Sequence, residues 1–171
     1  MIDFYSLAPE IFILALILVS ITFGILNKGV IITINTTGFS FLTIFLIFKG
    51  HSLYQNSLYS FNTINLILLS KIILSIGSIV FILLSRRPLK NENLFRYEYI
   101  LFILFAILGS FVLISSNNFL TAFIGLELQS LSLYLMAAFN TKNLNSNEAG
   151  IKYFSFCLLY TSDAADEWRS V

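Results

Sequence analysis

The sequence predicts an all-α protein, a polytopic transmembrane helix bundle with five full spanning helices and a truncated sixth. The 171-residue chain is 57% hydrophobic and 11% charged, whereas soluble domains are about 45–50% apolar and about 25% charged. Its apolar residues form long successive runs, and a membrane helix needs about 20 such residues. The runs lack strict alternation of apolar and polar residues, so they are expected to be helices rather than strands of a membrane barrel.

The six runs predict helices over residues 7–26, 30–48, 61–84, 99–114, 119–140 and a shorter 148–160. Charged, polar or helix-breaking pairs separate several of them: Lys28-Gly29, Lys49-Gly50, Arg87-Pro88 and Asn117-Asn118. Asn145 or Ser146 is expected to cap the sixth helix, because both side chains suit an N-cap. Glu148 would then lie in the first turn, where an acid interacts favourably with the helix dipole.

The distribution of positive charge predicts the orientation in the membrane, since Lys and Arg accumulate in loops on the inner side. One side collects Lys28, Arg86, Arg87, Lys90, Arg96 and Lys142, and the other collects Lys49. The N-terminus is therefore expected to face outward. The residues that lead into the first apolar run include two acids, Asp3 and Glu10, unlike a cleavable signal, which carries positive charge there. The first helix is expected to remain in the mature protein.

The composition argues against several kinds of site. One cysteine, Cys157, excludes a disulfide framework or a cysteine metal cluster, and the single histidine, His51, makes a His-rich metal or haem site unexpected. A net charge of +1 without a basic tract gives no indication of nucleic acid as a partner. The lipid bilayer is the expected surrounding, and the chain is expected to bind no cofactor or metal.

Three ionisable residues lie in or near the apolar runs, and Glu127 is the leading candidate for function. By helical rise it lies roughly 14 Å below Asn118, near the middle of the membrane. A charge there costs about 2.5–3.5 kcal/mol, so an intramembrane acid is a functional-site hypothesis by default. The residues that share its helix face by the three-and-four spacing are Phe123, Ile124, Ser130, Leu131 and Tyr134. The alternative is a neutral acid that is hydrogen-bonded to a neighbouring helix.

Two lysines are the remaining candidates. Lys152 follows Glu148 by the favourable i,i+4 spacing and lies roughly 9 Å into its helix, so direct contact with Glu127 is not expected. Its alternative role is that of an interfacial lysine paired with Glu148. Lys71 lies deeper, in the third run. The residues around it leave two possibilities open, a polar interior or a neighbouring subunit.

The end of the chain departs from the apolar pattern. From Thr161 it reads TSDAADEWRSV, which carries three acids and one arginine. The string CLLYTSDAADE resembles the in-frame translation of a sequencing-library adapter. We therefore predict that residues 1–156 are the N-terminal part of a membrane domain and that residues 157–171 are a non-native tail. The alternative is a genuine acidic C-terminal tail.

Two motifs carry a specific resemblance: GLELQSLSLY at residues 125–134 and EAGIKYF at residues 148–154. In this order they resemble subunit 2 of respiratory NADH:quinone oxidoreductase, complex I, an antiporter-like family. The resemblance implies proton translocation coupled to NADH oxidation and quinone reduction. It also implies that Glu127 is essential to coupling and that Lys152 belongs to a polar axis. The family has further helices, including a seventh whose lysine pairs with the glutamate, so the chain resembles an N-terminal fragment.

The resemblance also implies the setting of the protein. The complex, rather than this chain, would use NAD and ubiquinone, and the partners would be other membrane-arm subunits. The expected location is the mitochondrial inner membrane, with the N-terminus toward the intermembrane space, or alternatively a bacterial plasma membrane. Two other functions stay open: a subunit of a multi-subunit cation/proton antiporter, and a non-catalytic membrane scaffold.

Overall fold

The computed structural model describes the backbone of residues 7–26, 30–54, 61–91 and 97–167, and the side chains of residues 7–24, 30–48, 65–85 and 98–157. Within these ranges the chain forms six α-helices and no strand. They are α1 (Ala8–Leu26), α2 (Val30–Tyr54), α3 (Phe61–Asn91), α4 (Tyr97–Ile114), α5 (Phe119–Ala137) and α6 (Leu144–Glu167). The predicted all-α class is confirmed.

Three helical segments among the described residues are long and apolar enough to cross a membrane: Val30–Phe48, Asn65–Ser85 and Phe119–Ala137. Two others contain shorter apolar stretches, Ala8–Gly24 in α1 and Glu98–Ile114 in α4. The chain is therefore a multi-pass membrane protein with three long apolar spans among the described residues, and the five full spanning helices stay a prediction.

The helices of the first half extend beyond their apolar runs. α2 continues past Lys49 and Gly50 to Tyr54, and α3 continues past Pro88 to Asn91. The predicted ends at 48 and 84 were wrong because charges end an apolar window without breaking the backbone hydrogen bonds of the helix. The side chains of most of the loop Lys and Arg residues used to predict the orientation lie outside the described residues.

The junction between α5 and α6 also differs from the prediction. α5 ends at Ala137 rather than at residue 140. α6 begins at Leu144, where the side chain of Asn143 accepts a hydrogen bond from the backbone N–H of Asn145 at 3.0 Å. Asn145 and Ser146 are therefore inside the helix rather than at its cap, because Asn143 already satisfies a free amide at the helix start.

The sixth helix is longer than the apolar run that predicted it. α6 is 24 residues long and ends at Glu167, although among the described residues it is not one of the apolar spans. Charged and small residues after Thr161 can continue a helix even though they cannot continue a membrane span. The non-native origin of residues 157–171 stays a prediction.

The buried core lies among the first four helices, with α4 at their junction with α5. α4 contacts α1, α2, α3 and α5, whereas within the described residues α5 contacts α4 and α6. The core is formed by apolar residues of α1 to α4: Ile13, Ile17, Ile31, Ile32, Phe39, Leu42, Leu46, Ile67, Leu68, Ile82, Ile100, Ile103, Leu104, Leu108 and Phe111. This arrangement makes α4 the link between the core and the helix that carries Glu127.

A buried hydrogen bond joins α1 to α2. The hydroxyl of Ser20 donates to Oδ1 of Asn35 at 2.9 Å, and Nδ2 of Asn35 donates to the carbonyl oxygen of Ile31 at 2.9 Å. Ser20 and Asn35 are both fully buried. Each polar group therefore has a partner, as helices within a membrane require.

Candidate functional site

Glu127 lies half-buried on α5 and faces a cleft between α5 and α6. The cleft is small, and the volume open to the centre of a water molecule is about 10 Å³. Its lining comes from two helices: Glu127, Ser130, Leu131 and Tyr134 from α5, and Tyr153, Phe154 and Cys157 from α6. Of the five residues predicted to share the helix face of Glu127, three line the cleft, whereas Phe123 and Ile124 are not part of its lining and are 43% and 53% exposed.

Aromatic packing closes one side of this cleft. The rings of Tyr134 and Phe154 pack with their centroids 5.2 Å apart. At the adjoining end of the two helices, Gly150 lies so close to α5 that a Cβ on it would be 2.5 Å from the Cβ of Ala138. The hydroxyl of Ser146 donates to the carbonyl oxygen of Ala137 at 2.6 Å. These contacts hold the first turns of α6 against the end of α5.

The carboxylate of Glu127 makes no ion pair or hydrogen bond with another described residue. The nearby serines bond to their own helix, as Ser130 donates to the carbonyl oxygen of Glu127 at 3.0 Å and Ser132 to that of Leu128 at 2.7 Å. These two hydroxyls therefore donate within α5 rather than to a neighbouring helix. A serine in an apolar helix satisfies its hydroxyl most easily on the carbonyl three or four residues earlier.

Lys152 lies outside the cleft. It forms an ion pair with Glu148 at 2.6 Å, and the two side chains are 64% and 62% exposed. The predicted i,i+4 pair is thus present. The neighbours Tyr153 and Phe154 face Glu127, whereas Lys152 is absent from the described lining, in keeping with the expectation that Lys152 and Glu127 do not touch. An exposed i,i+4 pair of this kind contributes only about 0.3–0.5 kcal/mol to stability.

Lys71 faces the interior of the helix bundle, which decides between the two possibilities that the sequence left open. Its Nζ lies 2.5 Å from Oε1 of Glu10, and the two side chains are 0% and 8% exposed. The same oxygen of Glu10 accepts a hydrogen bond from the hydroxyl of Ser115 at 2.5 Å. The ammonium also lies 5.7 Å from the centre of the Phe111 ring, within the range of a cation–π contact.

Glu10 is the residue that the sequence interpretation missed as a member of a polar site. It was assigned to the acidic stretch before the first helix, yet it lies in the first turn of α1 and is buried. Its sequence separation from Lys71 is 61 residues, so no local pattern joins them. One signal was available: a lone acid entering an apolar run needs a cation, and Lys71 is the lysine deep in another run.

Other chemistry finds no support among the described residues. No group of three or more His, Cys, Asp and Glu side chains there could hold a metal ion. Three arrangements of charged side chains stand out in the described part: Glu127 in a cleft, the exposed Lys152–Glu148 pair and the buried Lys71–Glu10 pair.

The C-terminal part of the chain matches a known family. Residues 116–162 match the family described as NADH:quinone oxidoreductase/Mrp antiporter, TM. This segment contains α5, the cleft and the first part of α6. Both sequence motifs lie within it, as do Glu127 and Lys152.

Similarity to individual proteins extends over most of the chain. It is 40% identical over 150 residues to NADH-quinone oxidoreductase subunit N of Pelagibacter ubique, which covers 85% of this chain and 32% of that protein. It is 38% identical over 152 residues to subunit N of Rickettsia felis, covering 86% and 33%. It is 33% identical over 148 residues to the chloroplastic NAD(P)H-quinone oxidoreductase subunit 2 of Zygnema circumcarinatum, covering 85% and 30%.

These relatives come from bacteria and from a chloroplast, and the chain spans about a third of their length. The matched length runs well beyond the two motifs and takes in the earlier helices. The chain is therefore a partial-length homologue of subunit N, also called subunit 2, of NAD(P)H-quinone oxidoreductase.

Proposed function

We propose that the chain is the N-terminal part of a membrane-arm subunit of NADH:quinone oxidoreductase that takes part in proton translocation. The observation that carries the proposal is the placement of Glu127 on an apolar span, facing a cleft, inside the segment that matches the proton-antiporter family. In the whole complex this translocation is coupled to NADH oxidation and quinone reduction. NAD and ubiquinone are used by other subunits.

Glu127 is proposed as the protonatable centre. Burial favours the neutral form of a carboxyl group, whereas a nearby cation favours the charged form. An acid that is half-buried and has no ion-pair partner among the described residues can therefore change protonation when a cation approaches or leaves. The proposed route of the proton to and from the carboxylate is the cleft on the α6 side, which Glu127 lines.

Lys152 is proposed as a second station for the proton. Its side chain lies near the beginning of α6 and is largely exposed, so a proton would pass between it and Glu127 through water or another side chain. Lys71, by contrast, is proposed to act through structure rather than as a station, because its ammonium is bound to Glu10.

The proposed topology has five spanning helices, an apolar sixth run that ends early, and an outward N-terminus. In its favour, Glu10 at the start of α1 contacts Ser115 just after the end of α4, as alternating spans require. The proposed location is the mitochondrial inner membrane, with the N-terminus toward the intermembrane space and other membrane-arm subunits as partners. A bacterial plasma membrane is the alternative.

A cation/proton antiporter subunit is the second candidate, because the description of the matching family names both classes. The relatives favour the oxidoreductase, since those described above are subunits of quinone oxidoreductases. A non-catalytic scaffold would account for the buried Lys71–Glu10 pair. It would not account for the placement of Glu127 at the cleft.

Replacement of Glu127 in the full-length subunit tests the proposal. In the assembled complex, Glu127→Gln is expected to abolish most proton translocation while assembly is retained, and Glu127→Asp is expected to restore part of it. Thr121→Val is the matched control, because Thr121 lies exposed on the same helix and bonds to the carbonyl oxygen of Asn118. Unchanged translocation in Glu127→Gln would refute the catalytic role, and failed assembly would favour a scaffold.

A further inference from the structure

α4 is the route by which α5 is attached to the first three helices. Within the described residues α5 contacts α4 and α6, and neither α5 nor α6 contacts α1, α2 or α3. The contact between α4 and α5 is made backbone to backbone at Gly109 and Gly125, so the two helices form a closely packed hairpin. The depth of Glu127 relative to α1–α3 therefore depends on the height of α4, by which we mean its position along its own axis relative to those helices.

Apolar packing alone specifies that height weakly. The buried residues by which α4 joins the core are Ile100, Ile103, Leu104, Leu108 and Phe111. Lipid tails are as apolar as these side chains, so no hydrophobic driving force holds one such helix in register against another inside a membrane. A buried polar contact at a defined position can fix such a register, as a single buried polar residue does in coiled coils.

A polar contact of this kind joins the end of α4 to α1 and α3. One carboxylate oxygen of Glu10 accepts two hydrogen bonds, one from the ammonium of Lys71 and one from the hydroxyl of Ser115. Lys71 is fully buried, and Glu10 is 6% exposed. Three segments of the chain thus meet at a single oxygen atom, and a shift of α4 by one helical residue, about 1.5 Å, would break its hydrogen bond.

We propose that Glu10, Lys71 and Ser115 form a polar lock that sets the register of the α4–α5 hairpin and thereby the depth of Glu127. They are positioning residues, since none of them lines the cleft of Glu127. A buried ion pair is a poor source of stability, because removing two charges from water costs about as much as their attraction returns. Its value here is the defined position that it imposes on α4.

The register can be measured without any reference to transport. The native cysteine is first removed by Cys157→Ser. Nitroxide labels are then attached at Leu18→Cys in α1 and Leu120→Cys in α5, with the chain in nanodiscs. Both positions are exposed, at 57% and 68%. Pulsed electron resonance then gives the distance distribution between the helices. Ser115→Ala keeps the Glu10–Lys71 pair, and it is expected to shift or broaden the distribution. Ser115→Thr, which keeps the hydroxyl, is expected to restore it.

Ser110→Ala is the matched control, because the hydroxyl of Ser110 also lies on α4 but donates to its own helix at Ala106. Its distance distribution should coincide with that of the parent. A distribution in Ser115→Ala that equals those of the parent and of Ser110→Ala would overturn the lock. Glu10→Leu combined with Lys71→Met removes the rest of the lock and is expected to disturb the register at least as much.

The consequence for Glu127 rests on the proposed function and is tested separately in the assembled complex. Ser115→Ala is expected to shift the pH profile of proton translocation while NADH oxidation persists, and Ser115→Thr is expected to return the profile to that of the parent. An altered register with an unchanged pH profile would overturn the positioning role and leave the proposed role of Glu127 intact. Failure of the Glu127→Gln test alone would overturn the proposed function and leave the register result standing.

Discussion

Gly109 and Gly125 face each other across the contact between α4 and α5. A Cβ on Gly109 would lie 2.8 Å from the carbonyl oxygen of Gly125, and 2.7 Å from the backbone nitrogen of Gln129. A Cβ on Gly125 would in turn lie 3.0 Å from the carbonyl oxygen of Gly109. Small residues at such a contact allow two membrane helices to approach closely. Because Gly125 is two residues before Glu127, this contact also positions the turn of α5 that carries Glu127.

Gly109→Ala is expected to destabilise the fold by about 1–3 kcal/mol, because the added methyl group meets backbone atoms that cannot rotate away. The loss should appear as a lower midpoint in denaturant unfolding of the chain in mixed micelles, followed by far-ultraviolet circular dichroism. α4 and α5 would also separate, and therefore proton translocation by the assembled complex should fall.

Gly77→Ala provides the matched control for this change. Beyond its own chain neighbours and helix backbone, a Cβ at Gly77 meets no heavy atom of a described residue within 4 Å. Alanine is also favoured over glycine inside a helix by up to about 1 kcal/mol. The variant should be as stable as the parent or slightly more stable. Equal effects of the two substitutions would contradict a specific α4–α5 contact.

Lys71→Met is expected to destabilise the fold by about 3–5 kcal/mol, because it leaves the buried carboxylate of Glu10 without its cation. Glu10→Leu combined with Lys71→Met should recover much of that loss, because neither charge is then buried alone. The free energy of unfolding of the two single variants and the double variant, combined in a double-mutant cycle, measures the coupling.

The ion pair between Lys152 and Glu148 offers the exposed counterpart of this test. Glu148→Gln removes one partner of a pair that is 62–64% exposed, and the expected change in stability is about 0.5 kcal/mol or less. If Lys71→Met were as mild as Glu148→Gln, the buried position of the Lys71–Glu10 pair would be in error.

Replacement of Lys152 tests its proposed part in proton movement. Lys152→Ala is expected to lower proton translocation several-fold with little effect on assembly, because the side chain is largely exposed and packs against little. Lys152→Arg keeps the charge but releases its proton much less readily. It should therefore retain assembly and recover little translocation. Normal translocation in Lys152→Ala would identify the residue as an interfacial lysine that only pairs with Glu148.

The local sequence pattern determined the helices, the face of α5 around Glu127 and the Lys152–Glu148 pair. Each of these depends on residues three or four positions apart or on one apolar run, so the chain needs no distant contact to specify them. The helix ends were predicted less well, because an apolar window stops at a charge, whereas the hydrogen-bonded backbone of α2 and α3 does not.

Only the tertiary structure decided which distant residues meet. Glu10 and Lys71 are 61 residues apart, and nothing in either helix alone identifies the partner of the other. The same holds for Gly109 and Gly125, whose role depends on how closely two backbones approach. The sequence by itself therefore identified Glu127 as the acid to examine, and the packing of α4 against α1, α3 and α5 decided what supports that acid. The physical reason is that helical periodicity is a local property, whereas a buried charge or a close backbone contact is satisfied by whichever helix the fold brings beside it.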